Sequence, residues 1–190
     1  MVNDKLEENL GRNSFWAFWV GPKLLFSIGK KGLQLNKRME QILGVISPTN
    51  TVFLFGEIDI RTRPLELNKS KFAYQSVVES YLHSLLEFCR RYGLSSPCVL
   101  QPCPPSKRLS NSKDFPTTGT IANRIQANTL IARELKIQSP AFGLKYIAFP
   151  ESLVEADGST REMYTLDGVH TNSIANEIWK IEIISKLGES

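Results

Sequence analysis

The chain has 190 residues, one domain's worth, and its 23 Lys and Arg against 19 Asp and Glu leave a net charge of +4. With 42% hydrophobic and 9% aromatic residues it can build a core, which excludes the apolar deficit of a disordered chain. The charge excess is small and spread along the sequence, which argues against a nucleic-acid surface, and three cysteines without a CxxC pair indicate neither a disulfide framework nor a zinc site.

Residues 1–20 read as an atypical N-terminal segment and residues 21–190 as a single α/β domain. The segment opens on the acidic Asp4, Glu7 and Glu8 and continues into an apolar run from Phe15 to Val20. That run is too short to span a bilayer and follows the wrong charge for a signal peptide, so the chain reads as cytoplasmic with no membrane span. Leu24 to Ile28, closed by Gly29 and Gly32, is the weakest of four strand candidates. Leu35 to Val45 follows as a helix, then an apolar strand from Thr51 to Phe55. Lys71 to Tyr92 is a clear helix, because Val78, Leu82, Leu85 and Cys89 form one stripe while Glu79, Glu87 and Arg90 form another. Gly93 stops it. Cys98 to Gln101 is a second strand, with Cys98 a small core residue.

The segment from Cys103 to Thr118, carrying Pro104, Pro105 and Pro116, reads as a long irregular surface loop. Thr120 to Lys136 is a helix expected to bury Ile121, Ile125, Ala132 and Leu135. Lys145 to Phe149 is the third clear strand, and a last helix near Asn172 to Leu187 places Ile174, Ile178 and Ile181 at helical spacing. Strand and helix alternate, which predicts a parallel sheet with helices on both faces.

Such sheets bind ligands at the carboxyl ends of their strands. After the Thr51 strand comes Gly56-Glu57-Ile58-Asp59-Ile60-Arg61. Extended alternation would put Glu57, Asp59 and Arg61 on one side, as a polar ligand site or as a structural ion pair. Before the last helix stands Leu166-Asp167-Gly168-Val169-His170. In a tight turn at Gly168 the Asp167 carboxylate can accept a hydrogen bond from the imidazole Nδ1, as a general base requires. The alternative is that Asp167 helps cap the following helix. The other histidine, His83, falls between Glu79 and Glu87 on a charged helix face and reads as solvated.

These blocks, in this order, resemble the SGNH hydrolases, the GDSL-type esterases and lipases with a flavodoxin-like sheet. The resemblance is closest to a subgroup whose third block reads Gly-Glu-Ile-Asp-x-Arg, here Gly56 to Arg61, and whose last block is Asp-Gly-Val-His, here Asp167 to His170. It also takes in Gly21-Pro22-Lys23, the stretch from Phe26 through Ser27 to Gly29, the Pro-rich loop, and the helix with Asn123 and Arg124. It implies His170 as general base, Asp167 as its orienting acid, and the Gly56 backbone N–H as an oxyanion donor. The broader family donates from an asparagine side chain in the third block, where this chain has Ile58, so Glu57, Asp59 and Arg61 are left as a different polar arrangement.

The family's Gly-Asp-Ser block, which holds the nucleophile at the end of a central first strand, has no counterpart. Ser14 is the only serine in residues 1–20, and it follows charged sequence rather than a strand; Ser27 reads as a wall residue. The expected fold is therefore a three-layer α/β/α flavodoxin-like sheet with its first strand missing or substituted, residues 14–20 being strand-compatible. The resemblance implies hydrolysis of an acyl ester of a small molecule or carbohydrate, without a cofactor or metal. The alternatives are an inactive relative binding a polar ligand through Glu57, Asp59 and Arg61, a truncated fragment of an active enzyme, or, more remotely, a nucleotide-binding module.

Overall fold

The computed structural model describes residues 20, 22–46, 48–68, 71–109 and 113–188. Three short strands lie parallel in the order β1 (Thr51–Phe53), β2 (Pro97–Leu100) and β3 (Lys145–Ile147), with Val52 opposite Cys98 and Cys98 opposite Lys145. Among the described residues the helices are α1 (Leu25–Lys31), α2 (Lys37–Ile46), α3 (Glu57–Thr62), α4 (Pro64–Asn68), α5 (Lys71–Tyr92), α6 (Ile121–Gln138) and α7 (Ser173–Gly188). Strand side chains alternate between faces, so Val99 enters one apolar cluster while Cys98 and Leu100 enter another. The first face is covered by α1, α5 and α6 and the second by α7, whose Ala175, Trp179 and Ile183 join Ile147 and Phe149. This is the three-layer α/β/α arrangement that the alternation predicts.

α5 shows how the sequence specifies its place. Tyr74, Val78, Tyr81, Leu82, Leu85, Phe88 and Cys89 recur every three or four residues and all are buried. Leu82 and Leu85 are fully covered, each contributing about 1.5–3 kcal/mol of burial. Gly93 then takes φ +62°, and the Leu94 N–H returns to the Cys89 carbonyl at 2.9 Å, closing the helix.

Residues 24–28 are not a strand. Leu25 and Ile28 are buried while Phe26 is half exposed, a three-residue spacing that belongs to a helix. Gly29 lies inside that helix instead of closing it, and a Cβ there would come within 2.9 Å of the Ser80 Cβ, so α1 rests directly on α5. Gly32, at φ +75°, is the residue that ends α1.

Two helices are turned differently from expectation. In α6 the buried residues are Arg124, Ala127, Asn128, Ile131, Glu134 and Leu135, while Ile121, Ile125 and Ala132 are only partly covered. Loop carbonyls after β2 need donors, and the polar residues of α6 face inward to supply them. In α7, Ile174 and Ile181 are exposed and Ile178 is half-buried. The bulk of Trp179, packed edge-on against Phe149 with ring centroids 4.8 Å apart, sets the rotation instead. The loop after β2 is irregular as expected, yet it begins inside the protein: Ser106 is 1% exposed. Ser14 and all but Val20 of the candidate substitute strand lie outside the described residues, and Val20 packs against the first cluster.

Candidate active site

At the end of β1 the chain turns through Gly56, at φ +110°, into α3. A Cβ on Gly56 would meet Pro102 at 2.8 Å and Leu25 at 3.0 Å, so only glycine fits this approach. The helical turn overturns the expected alternation of the acidic block. Glu57 and Arg61 are four residues apart on one face, where Arg61 Nε and Nη2 donate to the two Glu57 carboxylate oxygens at 2.6 and 3.2 Å. Arg61 Nη1 donates to the Phe115 carbonyl. Asp59 points the other way, 2% exposed, and accepts the Leu25 N–H at 2.7 Å, holding the start of α1. Burial raises its carboxyl from 3.8 to about 6, against the lowering pull of the Leu25 and Phe26 amides. Asp59 is thus not convergent with Glu57 and Arg61. Its role is to join α3 to α1.

The loop after β2 is held by α6. Thr120 and Asn123 form a reciprocal cap at the start of that helix. One turn further, Asn128 Nδ2 donates to the Pro102 carbonyl at 2.9 Å, and Arg124 Nη1 reaches the Ser106 carbonyl at 3.4 Å. Cys103 follows, its thiol pushed up to about 12 by burial, with the Thr160 hydroxyl opposing and Glu57 reinforcing the shift. A thiol held neutral in this way is a poor nucleophile.

The 167–170 turn has the geometry expected of it. Asp167 Oδ1 accepts the Val169 and His170 backbone N–H groups at 3.0 and 2.8 Å, and Oδ2 lies 2.7 Å from His170 Nδ1. Partial burial pushes the Asp167 carboxyl up, but the bonds from His170 and Val169 together pull it down to about 2. Asp167 is not the cap of α7: Asn172 Oδ1 takes that place, accepting the Ala175 N–H at 3.1 Å. Gly168 sits at φ +84° directly against the Arg108 carbonyl oxygen, and Arg108 Nη1 donates to the Leu166 carbonyl at 2.9 Å. The His170 side chain is 74% exposed. With Nδ1 committed to Asp167, Nε2 is the nitrogen left to exchange a proton.

These three segments meet at a cavity of about 10 Å³ walled by Glu57, Arg61, Cys103, Arg124, Gly168 and Val169, among others. The structure therefore brings Glu57 and Arg61 beside Gly168 and Val169, while Asp167 and His170 are not in the wall. Gly56 is not in the wall. Arg124 is the residue the sequence reading missed as part of a site: it falls within a resembling block, but nothing in its spacing announces an inward face.

Among solved structures, the chain is similar to a "putative acylhydrolase" from Bacteroides fragilis NCTC 9343, with a TM-score of 0.58 over 88% of this chain and 71% of that one. It is also similar to a GDSL-like lipase from Bacteroides thetaiotaomicron VPI-5482, with a TM-score of 0.54 over 88% and 72%. The fold is GDSL-like. Sequence identities are only 13% and 14%, so the likeness is one of architecture. No protein-family model and no curated protein matches the sequence. In this chain the segments that follow β1 and β2 meet the turn before α7 at the cavity. His83 stands apart on α5, 3.7 Å from Glu87 and largely exposed. Among the described residues no helix is long and apolar enough to cross a membrane, and no three His, Cys, Asp or Glu side chains gather as a metal site.

Proposed function

We propose that the chain is an SGNH-type hydrolase acting on an acyl ester of a small molecule or carbohydrate, with His170 as general base and Asp167 as its orienting acid. The observation that carries this reading is the 2.7 Å contact between His170 Nδ1 and Asp167 Oδ2 in a turn that leaves the ring exposed. A carboxylate pinned by two backbone amides fixes the imidazole tautomer and supports the imidazolium formed when Nε2 takes a proton. The fold shared with a "putative acylhydrolase" and a GDSL-like lipase supports the same reading. The hydroxyl nucleophile is sought first at Ser14, which lies outside the described residues.

The test is hydrolysis of p-nitrophenyl acetate together with labelling by a fluorophosphonate. His170→Ala is expected to lower the rate by about 10²–10⁴-fold. Asp167→Asn should lower it as well. Hydrolysis indifferent to His170 would sink the assignment. Loss of labelling in Ser14→Ala would locate the nucleophile.

A second reading is favoured by Ile58, which offers no donor at the third block, and by the paired Glu57 and Arg61 beside the cavity. It is an inactive relative that holds a polar ligand there. Absence of both hydrolysis and labelling would favour it.

A further inference from the structure

The outward face of α7 is apolar. Ile174, Ile181 and Ile184 are 60%, 66% and 50% exposed, on the side of the helix away from the buried Ala175, Trp179 and Ile183. Half-buried Ile178 borders them. Their spacings of seven and three are those of the a and d positions of a coiled-coil seam. Neither local preference nor the domain core accounts for them. Isoleucine is a poorer helix former than the lysine or glutamate usual at exposed sites, and none of the three joins either apolar cluster. α7 carries four charged residues. Glu182 and Lys186 are partly covered, whereas Glu177 and Lys180 stand exposed among the isoleucines, with Lys180 Nζ donating to Glu177 Oε2 at 3.3 Å. Counted from Ile174 as a, Glu177 takes the d position of the seam and Lys180 the g position beside it.

We propose that this face is where a second copy of the chain docks, α7 against α7, antiparallel about a two-fold axis. The charges decide the orientation. A parallel pair brings the two Glu177 carboxylates together in the seam, where like charges are costly. An antiparallel pair whose axis lies level with Ile178 and Trp179 sets each Glu177 opposite Lys180 of the other copy. The same axis sets Ile174 of each copy between Ile181 and Ile184 of the other, so the isoleucines interdigitate in the register that pairs the charges. A surface that complements itself in shape and in charge suits an isologous interface. α7 spans 16 residues, about 24 Å. Two such helices alone bury less than the roughly 1,200 Å² at which stable interfaces begin, so the dimer is weak, with Kd in the micromolar range. None of these residues lines the cavity beside Glu57 and Arg61, and the dimer stands independently of the hydrolase reading.

Sedimentation velocity of the full chain provides the test. The wild type is expected to pass from monomer to dimer as its concentration rises through the micromolar range. Ile181→Asp places a charge in the seam and should hold the chain monomeric with its far-UV spectrum unchanged, because Ile181 lies outside the core. Glu177→Lys and Lys180→Glu each set like charges against each other and should each weaken the dimer by about tenfold or more, while an equal mixture of the two variants should restore it. Both charge variants alter only exposed residues, so the test stands even if Ile181→Asp does not fold. A wild type that is monomeric at every concentration overturns the proposal and leaves the face to another part of the chain or to a different protein. A dimer that survives Ile181→Asp lies elsewhere on the surface and overturns it as well. Charge variants that dimerise like the wild type, or a mixture no tighter than either variant alone, overturn the antiparallel pairing.

Discussion

Asp59 makes folding stability depend on pH in the direction opposite to that of most carboxylates. It is 2% exposed and its carboxyl is raised from 3.8 to about 6 by burial, with the Leu25 and Phe26 amides and Arg63 pulling back. The folded state therefore holds this proton at pH values where the unfolded chain has released it. Stability from this group is fully present below pH 4 and is lost as pH rises through 6. The loss amounts to about 3 kcal/mol at 1.36 kcal/mol per pH unit, against the roughly 5–15 kcal/mol of a typical domain. For a chain of this length it corresponds to roughly 6–12 °C in Tm. Asp59→Asn keeps an oxygen to accept the Leu25 N–H and cannot ionise. Urea unfolding followed by circular dichroism from pH 3 to 7.5 should show the variant gaining about 3 kcal/mol on the wild type across that range. Other carboxyls titrate alike in both proteins and cancel in the difference. Parallel curves for the two would refute the reasoning.

Two glycines give further tests. Gly168→Ala would place a Cβ 2.4 Å from the Arg108 carbonyl at φ +84°; it should cost about 1–3 kcal/mol and displace the His170 ring. Thermal unfolding and the imidazole proton shifts would register both effects, and a variant matching the wild type in both would contradict the packing described. Gly29→Ala should force α1 away from α5, because the added methyl meets Ser80 and the Tyr81 backbone. Overpacking of about 1–3 kcal/mol outweighs the gain of up to about 1 kcal/mol in helix propensity, so the urea midpoint should fall. A raised midpoint would show that the two helices are not in close contact.

What the sequence could reveal depended on whether a residue's partners were local. α5 is legible because its apolar stripe and glycine stop are properties of the segment itself, and the Asp167 to His170 contact is legible because both residues share one turn. Residues 24–28 look strand-like in isolation because the burial of α1 is decided by α5, some fifty residues away. α6 and α7 carry apolar residues on more than one face, so periodicity alone left their rotation open. Trp179 settled one, and the carbonyls of the loop after β2 settled the other by drawing Arg124 and Asn128 inward. Arg124 was invisible as a site residue for the same reason. Its environment is made by the loop after β2, by α3 and by the turn before α7, none of which adjoins it in sequence.

The six-residue helix α3 serves two clients at once. One side presents Glu57 and Arg61 to the cavity, while the other, through Asp59, fastens the start of α1. Anyone transplanting the cavity onto another scaffold would have to bring α1 along, since a host lacking it would strand a buried carboxylate beneath the graft. The same geometry makes the block a poor target for piecemeal redesign: Glu57 and Arg61 can be exchanged only within the rotation that Asp59 permits.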